Sequence, residues 1–231
     1  LQPFDAARAE RRSVLLETES RALAAAFGLP LVPAEFCSTP GDASSAASRM
    51  GTSVAVRVVS PTAPHKTEAG GVALNVPPAA AASEAQRLCD AVRAWCARGG
   101  SDADIRGVLV SPMLERPLAE LLVGIVRDPQ LGPVLSVGAG GIAVELQRDV
   151  ATRVLPVSAE DVQEMLAELR IAASLAGHRG AAAADTDAIA RAVLALARCG
   201  LAYPQILELE VNPLFAYEDR AVAVDVRAFI A

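Results

Sequence analysis

The amino-acid sequence predicts a mixed fold, α+β or α/β, on three observations. Helical stretches with capping signals alternate with short apolar β runs along the chain. Apolar residues form 52% of the 231 residues and charged residues 21%, a balance that supports one sizeable core or two modest ones. Apolar runs are short and broken by charge, Gly or Pro, so none is long enough to span a membrane.

The first predicted element is a helix over residues 7–27, with Leu16, Leu23 and Phe27 on one face and Gly28 and Pro30 as its stop. A short strand follows near Leu31–Cys37. Thr39 reads as an N-cap with Pro40 at the first helical position, opening a helix that ends at Gly51. Val54, Val56 and Val58 alternate as a strand, which puts Arg57 on the other face with Ala55 and Val59. Residues 60–71 are turn-rich, and Val72–Val76 is a second strand. Ser83 with Gln86 gives a capping-box signal for a helix to about Ala97, with Trp95 as a packing residue and Cys89 and Cys96 on one buried face.

From Arg106 strand follows strand: Gly107–Leu114, Glu120–Arg127, Val134–Val137, Ile142–Gln147 and Arg153–Pro156. Arg127 and Asp128 read as a local pair that orders a turn. Ser158 and Asp161 cap a helix through about Ala173, and Asp185–Cys199 is an alanine-rich packing helix closed by Gly200. Ile206–Val211 and Ala221–Val226 are apolar β runs on either side of a turn at Tyr217–Arg220.

Charge and composition narrow the function classes. A net charge of −6 and a pI near 5.0 are the wrong sign for a general nucleic-acid binder. Aromatics at 3% leave little for stacking on single strands. Asp5, Glu10 and the Arg11-Arg12 pair do not make a signal-peptide pattern. The four cysteines form no CxxC motif, which fits reduced thiols in a cytoplasmic protein better than a zinc site. The opening Leu1-Gln2-Pro3, without Met, favours a fragment of a longer chain.

Three clusters carry chemistry. In the first, a strand bearing Arg57 leads into a loop with His65, Lys66, Thr67, Gly70 and Gly71, then into another strand. Such a hairpin can lay backbone N–H groups and cations on phosphates, and it also reads as a surface turn whose glycines serve positive φ. The second, Gly138–Glu145, is a glycine loop between strands that permits close backbone approach to an anion; as a glycine pattern it is weak. The third is Glu208-Leu-Glu210-Val-Asn212-Pro213, followed by Asp225. On a strand, Glu208, Glu210 and Asn212 line one face while Leu207, Leu209 and Val211 face the core. If the two β runs pair as a hairpin, Asp225 returns beside Asn212. Oxygen ligands with open positions suit Mg²⁺, which keeps waters and takes its remaining ligands from phosphates. A half-exposed strand face would show the same pattern, but a row of carboxylates repels itself and calls for a cation.

Together these stretches resemble the ATP-grasp nucleotide-binding subunit of NDP-forming acyl-CoA synthetases, as in ADP-forming acetyl-CoA synthetase. More distantly they are similar to the β subunit of succinyl-CoA synthetase. The matching segments are Val56–Val76, Gly107–Met113, Glu120–Pro133, Gly138–Pro156, Gly177–Gly180 and Glu208–Pro213, in order, so the likeness runs from about Ala22 to Ala228. The resemblance implies an ATP-grasp fold of two α+β lobes clasping a nucleotide: a smaller one of about 31–107, inserted into a larger one of 1–30 plus 108–231 that carries the metal site.

It also implies a reaction, the phosphorylation of ADP while a thioester is cleaved, or the reverse from ATP, carboxylate and CoA. A CoA-binding subunit or fused domain carries the acyl pocket and a histidine that becomes phosphorylated, and the ATP-grasp unit moves that phosphoryl group to ADP with Mg²⁺. By the same resemblance His65 relays phosphate, a role imidazole suits by its nucleophilicity near neutral pH. Glu210 stands near the phosphohistidine. Arg57 occupies the place of a Lys on the nucleotide phosphates, keeping the charge but not the point-charge geometry. Lys66, Gly70 and Gly71 meet phosphates, Val110, Ser111 and Met113 form the hinge near adenine, and Glu120 belongs to the nucleotide site. Asn212 and Asp225 match the Mg²⁺ ligands, and His178-Arg179-Gly180 is structural or helps dock the partner's loop. Two other readings stay open: a degenerate synthetase-like regulatory module of a protein lysine acetyltransferase, and a scaffold with no nucleotide site. The second leaves the Glu208–Asn212 face unexplained.

Overall fold

The computed structural model describes residues 2–141, 149–177 and 182–231. The expected strand Ile142–Gln147, Glu145 within it and the His178-Arg179-Gly180 segment lie outside the described residues. The chain divides into two compact units, one of Val32–Glu115 and one of Leu1–Leu31 with Arg116–Ala231. The expected inner boundary is 107/108, whereas the strand that begins at Gly107 belongs wholly to the inserted unit.

The inserted unit is a four-stranded antiparallel sheet with two helices. Its strands are β1 (Glu35–Cys37), β2 (Val54–Val59), β3 (Val72–Val76) and β4 (Gly107–Pro112), in the order β1-β4-β2-β3. Helix α3 is written in the sequence. Here α1 (Gln2–Ala9) and α2 (Glu17–Ala25) precede it, and α3 spans Pro40–Met50. The Asp42 N–H donates to Thr39 Oγ1 at 3.2 Å, the Thr39 N–H donates to Asp42 Oδ2 at 3.0 Å, and Gly51 closes the helix in the left-handed region at φ +66°. Helix α4 spans Ala81–Arg98 and starts before the expected Ser83 cap. A 3₁₀ turn at Pro78–Ala80 leads straight into it, and the Ser83 hydroxyl donates back to the Ala80 carbonyl instead of capping. Leu88 and Val92 from α4 and Ala46 and Ala47 from α3 bury against Val56, Val58, Val108 and Val110. Each fully buried Leu or Val adds roughly 1.5–3 kcal/mol of hydrophobic stabilisation. Trp95 packs partly buried on this core.

Among the described residues the outer unit has a six-stranded antiparallel sheet. Its strands are β5 (Ala119–Asp128), β6 (Gly132–Ala139), β7 (Val150–Val154), β8 (Ile206–Ala216), β9 (Ala221–Ala223) and β10 (Val226–Ile230). The order is β10-β8-β5-β6-β7, with β9 pairing on β8. Among the described residues it also carries α1, α2 and the helices α5 (Ala159–Glu168), α6 (Ala172–Leu175) and α7 (Thr186–Ala202). The core joins Leu121, Val123, Ile125, Leu135, Leu209, Val211 and Leu214 of the sheet to Met165, Ile189, Val193 and Leu196 of the helices.

Four further expectations differ from the structure. The single helix over 7–27 is two, because residues 13–15 run along β10: the Leu15 N–H donates to Ala228 O at 3.0 Å, the Ile230 N–H donates to Ser13 O at 2.8 Å, and Val14 bridges Phe229. Arg12 holds the corner with a two-pronged bond to Glu19, both arms 2.8 Å. The helix from Ser158 ends at Glu168 rather than Ala173, since the buried carboxylate of Asp149 takes the Arg170 and Ile171 N–H groups at 2.8 and 3.3 Å.

Gly200 does not stop α7. The helix runs to Ala202, and Gly200 is there because a Cβ would stand 2.8 Å from Ile125 Cδ1. Arg127 and Asp128 act separately. Arg127 donates to Gly200 O at 3.0 Å and Ile206 O at 3.1 Å, satisfying an end carbonyl of α7, while Asp128 Oδ1 accepts the Gln130 and Leu131 N–H groups, both at 2.8 Å. Among the described residues no helix is long and apolar enough to cross a membrane.

Candidate functional site

Each unit carries its own set of the residues singled out above. In the inserted unit, Arg57 lies mid-strand on β2, with Val72 opposite it on β3 and Leu109 on β4. All six residues of β2 are buried, so the face carrying Ala55, Arg57 and Val59 is covered as well as the valine face. Arg57 is only 4% exposed and donates from Nη1 to Ser111 Oγ at 3.1 Å. Ser111 sits opposite Ala55, two residues up the ladder from Arg57, so the antiparallel register brings guanidinium and hydroxyl to one face. Val110 is wholly buried in the unit's core, which leaves only backbone for any ligand contact there. The Met113 N–H donates to Ser53 O at 2.9 Å.

The loop after β2 winds into a helical turn. The Ala69 N–H donates to His65 O at 3.2 Å and the Gly71 N–H to Lys66 O at 2.7 Å. That turn presents His65 at the surface, its side chain half exposed and its Nδ1 3.9 Å from Glu68 Oε1. Gly70 adopts φ +69°. Gly71 is a close approach: a Cβ there would meet Val92 Cγ2 at 3.0 Å and Lys66 O at 3.2 Å, so this glycine seats the loop on α4.

In the outer unit the expected run Ala221–Val226 is split: Ala221–Ala223 pairs with Leu214–Ala216 as β9, and β10, from Val226, pairs with Ile206–Val211. Val226 faces Val211, Arg227 faces Glu210, and the Asn212 N–H donates to the Asp225 carbonyl at 3.2 Å. Glu210 and Asn212 on β8 and Asp225, in the break between β9 and β10, therefore stand at neighbouring backbone positions. The expected core position of Leu207 is not met: it is 44% exposed, because the register slips by a bulge between Phe229 and Ile230 and Ile206 takes the buried place. Glu120 stands on β5, four residues before Gly124, which faces Glu210; at about 3.3 Å per residue that is about 13 Å along the strand. The glycine loop wraps Glu120. The Gly140 N–H donates to Glu120 O at 2.6 Å, a Cβ on Gly140 would stand 2.8 Å from the Glu120 backbone, and a Cβ on Gly141 would lie 3.5 Å from Glu120 Oε2.

Sequence reasoning missed Arg227. Its Nη2 lies 3.2 Å from Glu210 Oε1 and 3.5 Å from Glu208 Oε1. The cation that the carboxylate row calls for is supplied, at Glu208 and Glu210, by the chain itself. Cross-strand register could have found it, since Arg227 follows Asp225 by one alternation on the strand that returns beside Asn212.

Among the described residues no three His, Cys, Asp or Glu side chains converge as a ready metal cage. Asn212 and Asp225 offer two hard oxygen donors at neighbouring positions, a set that fits a cation completing its shell with waters and phosphate oxygens.

Two α+β units, one with a buried arginine beside a glycine-bearing loop and the other with oxygen donors at neighbouring positions, set the frame for comparison. The chain belongs to the ATP-grasp domain family, whose model matches residues 6–230. Within it the chain belongs with the β subunits of ADP-forming acetate–CoA ligases. It is 37% identical to acetate–CoA ligase [ADP-forming] I subunit beta of Pyrococcus furiosus, across 98% of this chain and 96% of that one. It is 34% identical to acetate–CoA ligase [ADP-forming] I of Archaeoglobus fulgidus over 92% of this chain but only 31% of that longer protein. Among solved structures it is similar to acetyl-coenzyme A synthetase 1 of Candidatus Korarchaeum cryptofilum in complex with coenzyme A, Ca-AMPCP and HgCl⁺. The TM-score is 0.90 and the identity 31%, covering 99% of this chain and 98% of that one.

Proposed function

We propose that this chain is the nucleotide-binding component of an ADP-forming acyl-CoA synthetase, moving a phosphoryl group between ADP or ATP and a histidine of a CoA-binding partner. The observation that carries the reading is the neighbouring placement of Glu210 and Asn212 on β8 and of Asp225 just before β10. Asn212 and Asp225 would hold Mg²⁺, which when bound neutralises charge on the transferred phosphoryl group. Glu210 receives the N–H of the incoming histidine ring and orients it. Arg57 and Lys66 supply positive charge to the nucleotide phosphates, and the Arg57–Ser111 bond fixes the guanidinium so that little reorganisation is needed. Ser111 and Met113 edge the adenine site, with Val110 contributing backbone. Gly70 and Gly71 hold the loop that presents His65 as an exposed nucleophile able to carry phosphate between sites. Glu120, gripped by the glycine loop, borders the nucleotide.

The partner is a separate α-type subunit or a fused domain; the longer Archaeoglobus relative supports the fused form and the Pyrococcus β subunit the split one. We place the enzyme in the cytoplasm, a reading supported by four buried free thiols. The acyl substrate is a small carboxylate whose pocket lies in the partner.

The test is calorimetric titration of the chain with ADP and with ATP, in the presence and absence of Mg²⁺. The expected result is Mg²⁺-dependent binding that weakens about tenfold or more in an Asn212→Ala, Asp225→Ala double variant. Equal affinity in the double variant would remove these two residues from the metal site. A wild-type chain that binds neither nucleotide, alone or with its partner, would favour the degenerate regulatory module.

A further inference from the structure

The open ladder positions of β8 and β10 place Arg227 between two carboxylates. Arg227 is the direct cross-strand partner of Glu210, and Phe229, two residues on, is the partner of Glu208. One nitrogen, Nη2, serves Glu210 Oε1 at 3.2 Å and Glu208 Oε1 at 3.5 Å. The guanidinium carbon lies 5.4 Å from the Phe229 ring centroid, so the ring backs the cation. The side chains of Arg227 and Glu210 are about one-fifth exposed, 20% and 21%, which leaves the pair only partly screened by water. A bridge of this kind does two things. It fixes the Glu210 carboxylate in one orientation, and it cancels one of two negative charges on a surface that, on the reading above, must receive a phosphorylated histidine.

We infer that Arg227 is a positioning residue for phosphoryl transfer. It aims Glu210 at the incoming ring and lowers the repulsion that Glu208 and Glu210 would otherwise exert on the phosphoryl group. The inference rests on the functional reading above. In the step it serves, the phosphohistidine ring enters with its second nitrogen protonated and donates that N–H to Glu210. The N–P bond breaks as a nitrogen of the neutral His65 ring bonds to phosphorus, and His65 passes the phosphoryl group to an ADP β-phosphate oxygen in a second step of the same form. The bond pair stays on the ring nitrogen, and histidine leaves as neutral imidazole with no further proton needed. Arg227 contacts none of the reacting atoms and acts through Glu210.

The experiment uses the complex of this chain with its CoA-binding subunit, phosphorylated from acetyl-CoA and inorganic phosphate. The readouts are single-turnover transfer of phosphate to ADP, calorimetric ADP affinity and melting temperature. Arg227→Gln is expected to slow transfer about tenfold or more and to leave ADP affinity within about twofold. Arg227→Lys, which keeps the charge, recovers part of the rate. So does Glu208→Gln placed on Arg227→Gln, which removes the uncancelled charge. The inference is overturned if Arg227→Gln transfers at the wild-type rate. It is equally overturned if transfer, ADP affinity and melting temperature fall together and neither second substitution restores transfer. A wild-type complex that passes no phosphate to ADP overturns the functional reading itself, an outcome distinct from both.

Discussion

Residue by residue, burial decides what the chain's reactive groups can do. The Cys199 thiol is pushed up to about 12 and that of Cys37 to about 11, in both cases chiefly by desolvation. For Cys37 the neighbouring carboxylates of Glu35 and Asp42 add to the rise and Arg49 opposes it. Both thiols titrate lower in the unfolded chain, near the ordinary thiol value of 9.0. The folded state therefore keeps their full contribution below that value and loses it as pH climbs from about 9 towards 11–12. Chemical denaturation at stepped pH should show stability falling across that window, with Cys199→Ala flattening the fall. Mass spectrometry after iodoacetamide at pH 8 should find Cys199 unmodified in the native protein and alkylated once denaturant is added. Modification of native Cys199 would contradict the burial. His65 is the contrast, a half-exposed imidazole on a turn and open to chemistry.

At the scale of elements, the capped helices were legible in the sequence and the broken ones were not. The caps at Thr39 and Ser158 were readable because side chain and amide lie three residues apart, within one local motif. The corner at residues 10–16 was hidden because its cause is remote: those backbone groups bond to β10, more than two hundred residues along the chain. Gly200 misled for the same reason. A glycine near a helix end reads as a stop, whereas here it is the contact point of α7 with Ile125 of β5. Ordinarily Gly→Ala inside a helix gains up to about 1 kcal/mol. Here the new methyl presses on Ile125, so Gly200→Ala should lose about 1–3 kcal/mol by denaturant unfolding. Adding Ile125→Val, which removes the nearest methyl, should recover part of that loss; if it recovers none, the contact is not the cause.

The same locality explains the site. Motif spacing brought out Glu210, Asn212 and Asp225, since strand alternation and a hairpin suffice to bring them together. It could not bring out Arg227 or the grip of Gly140 on Glu120, which depend on which residue stands opposite which.

For the molecule as a whole, the important fact is that there are two cores. Leu88 is fully buried in the cluster of the inserted unit and Leu196 in that of the outer unit. Leu88→Ala should cost about 2–5 kcal/mol. Hydrogen exchange should show the loss of protection concentrated in Val32–Glu115, with the outer-unit strands retaining theirs. Uniform loss across both units would mean that they unfold as one.

One feature of the outer unit bears on how the protein must be handled. The segment Ser13–Leu15 lies along the flank of β10 and occupies backbone groups of Ala228 and Ile230 that would otherwise be open to another chain. Ser13–Leu15 is thus a built-in seal against self-association. A shortened form starting at Leu16 keeps Glu210, Asn212 and Asp225 but leaves the β10 edge bare as a template for pairing with another chain. Solubility, rather than nucleotide affinity, is the property such trimming would be expected to lose first.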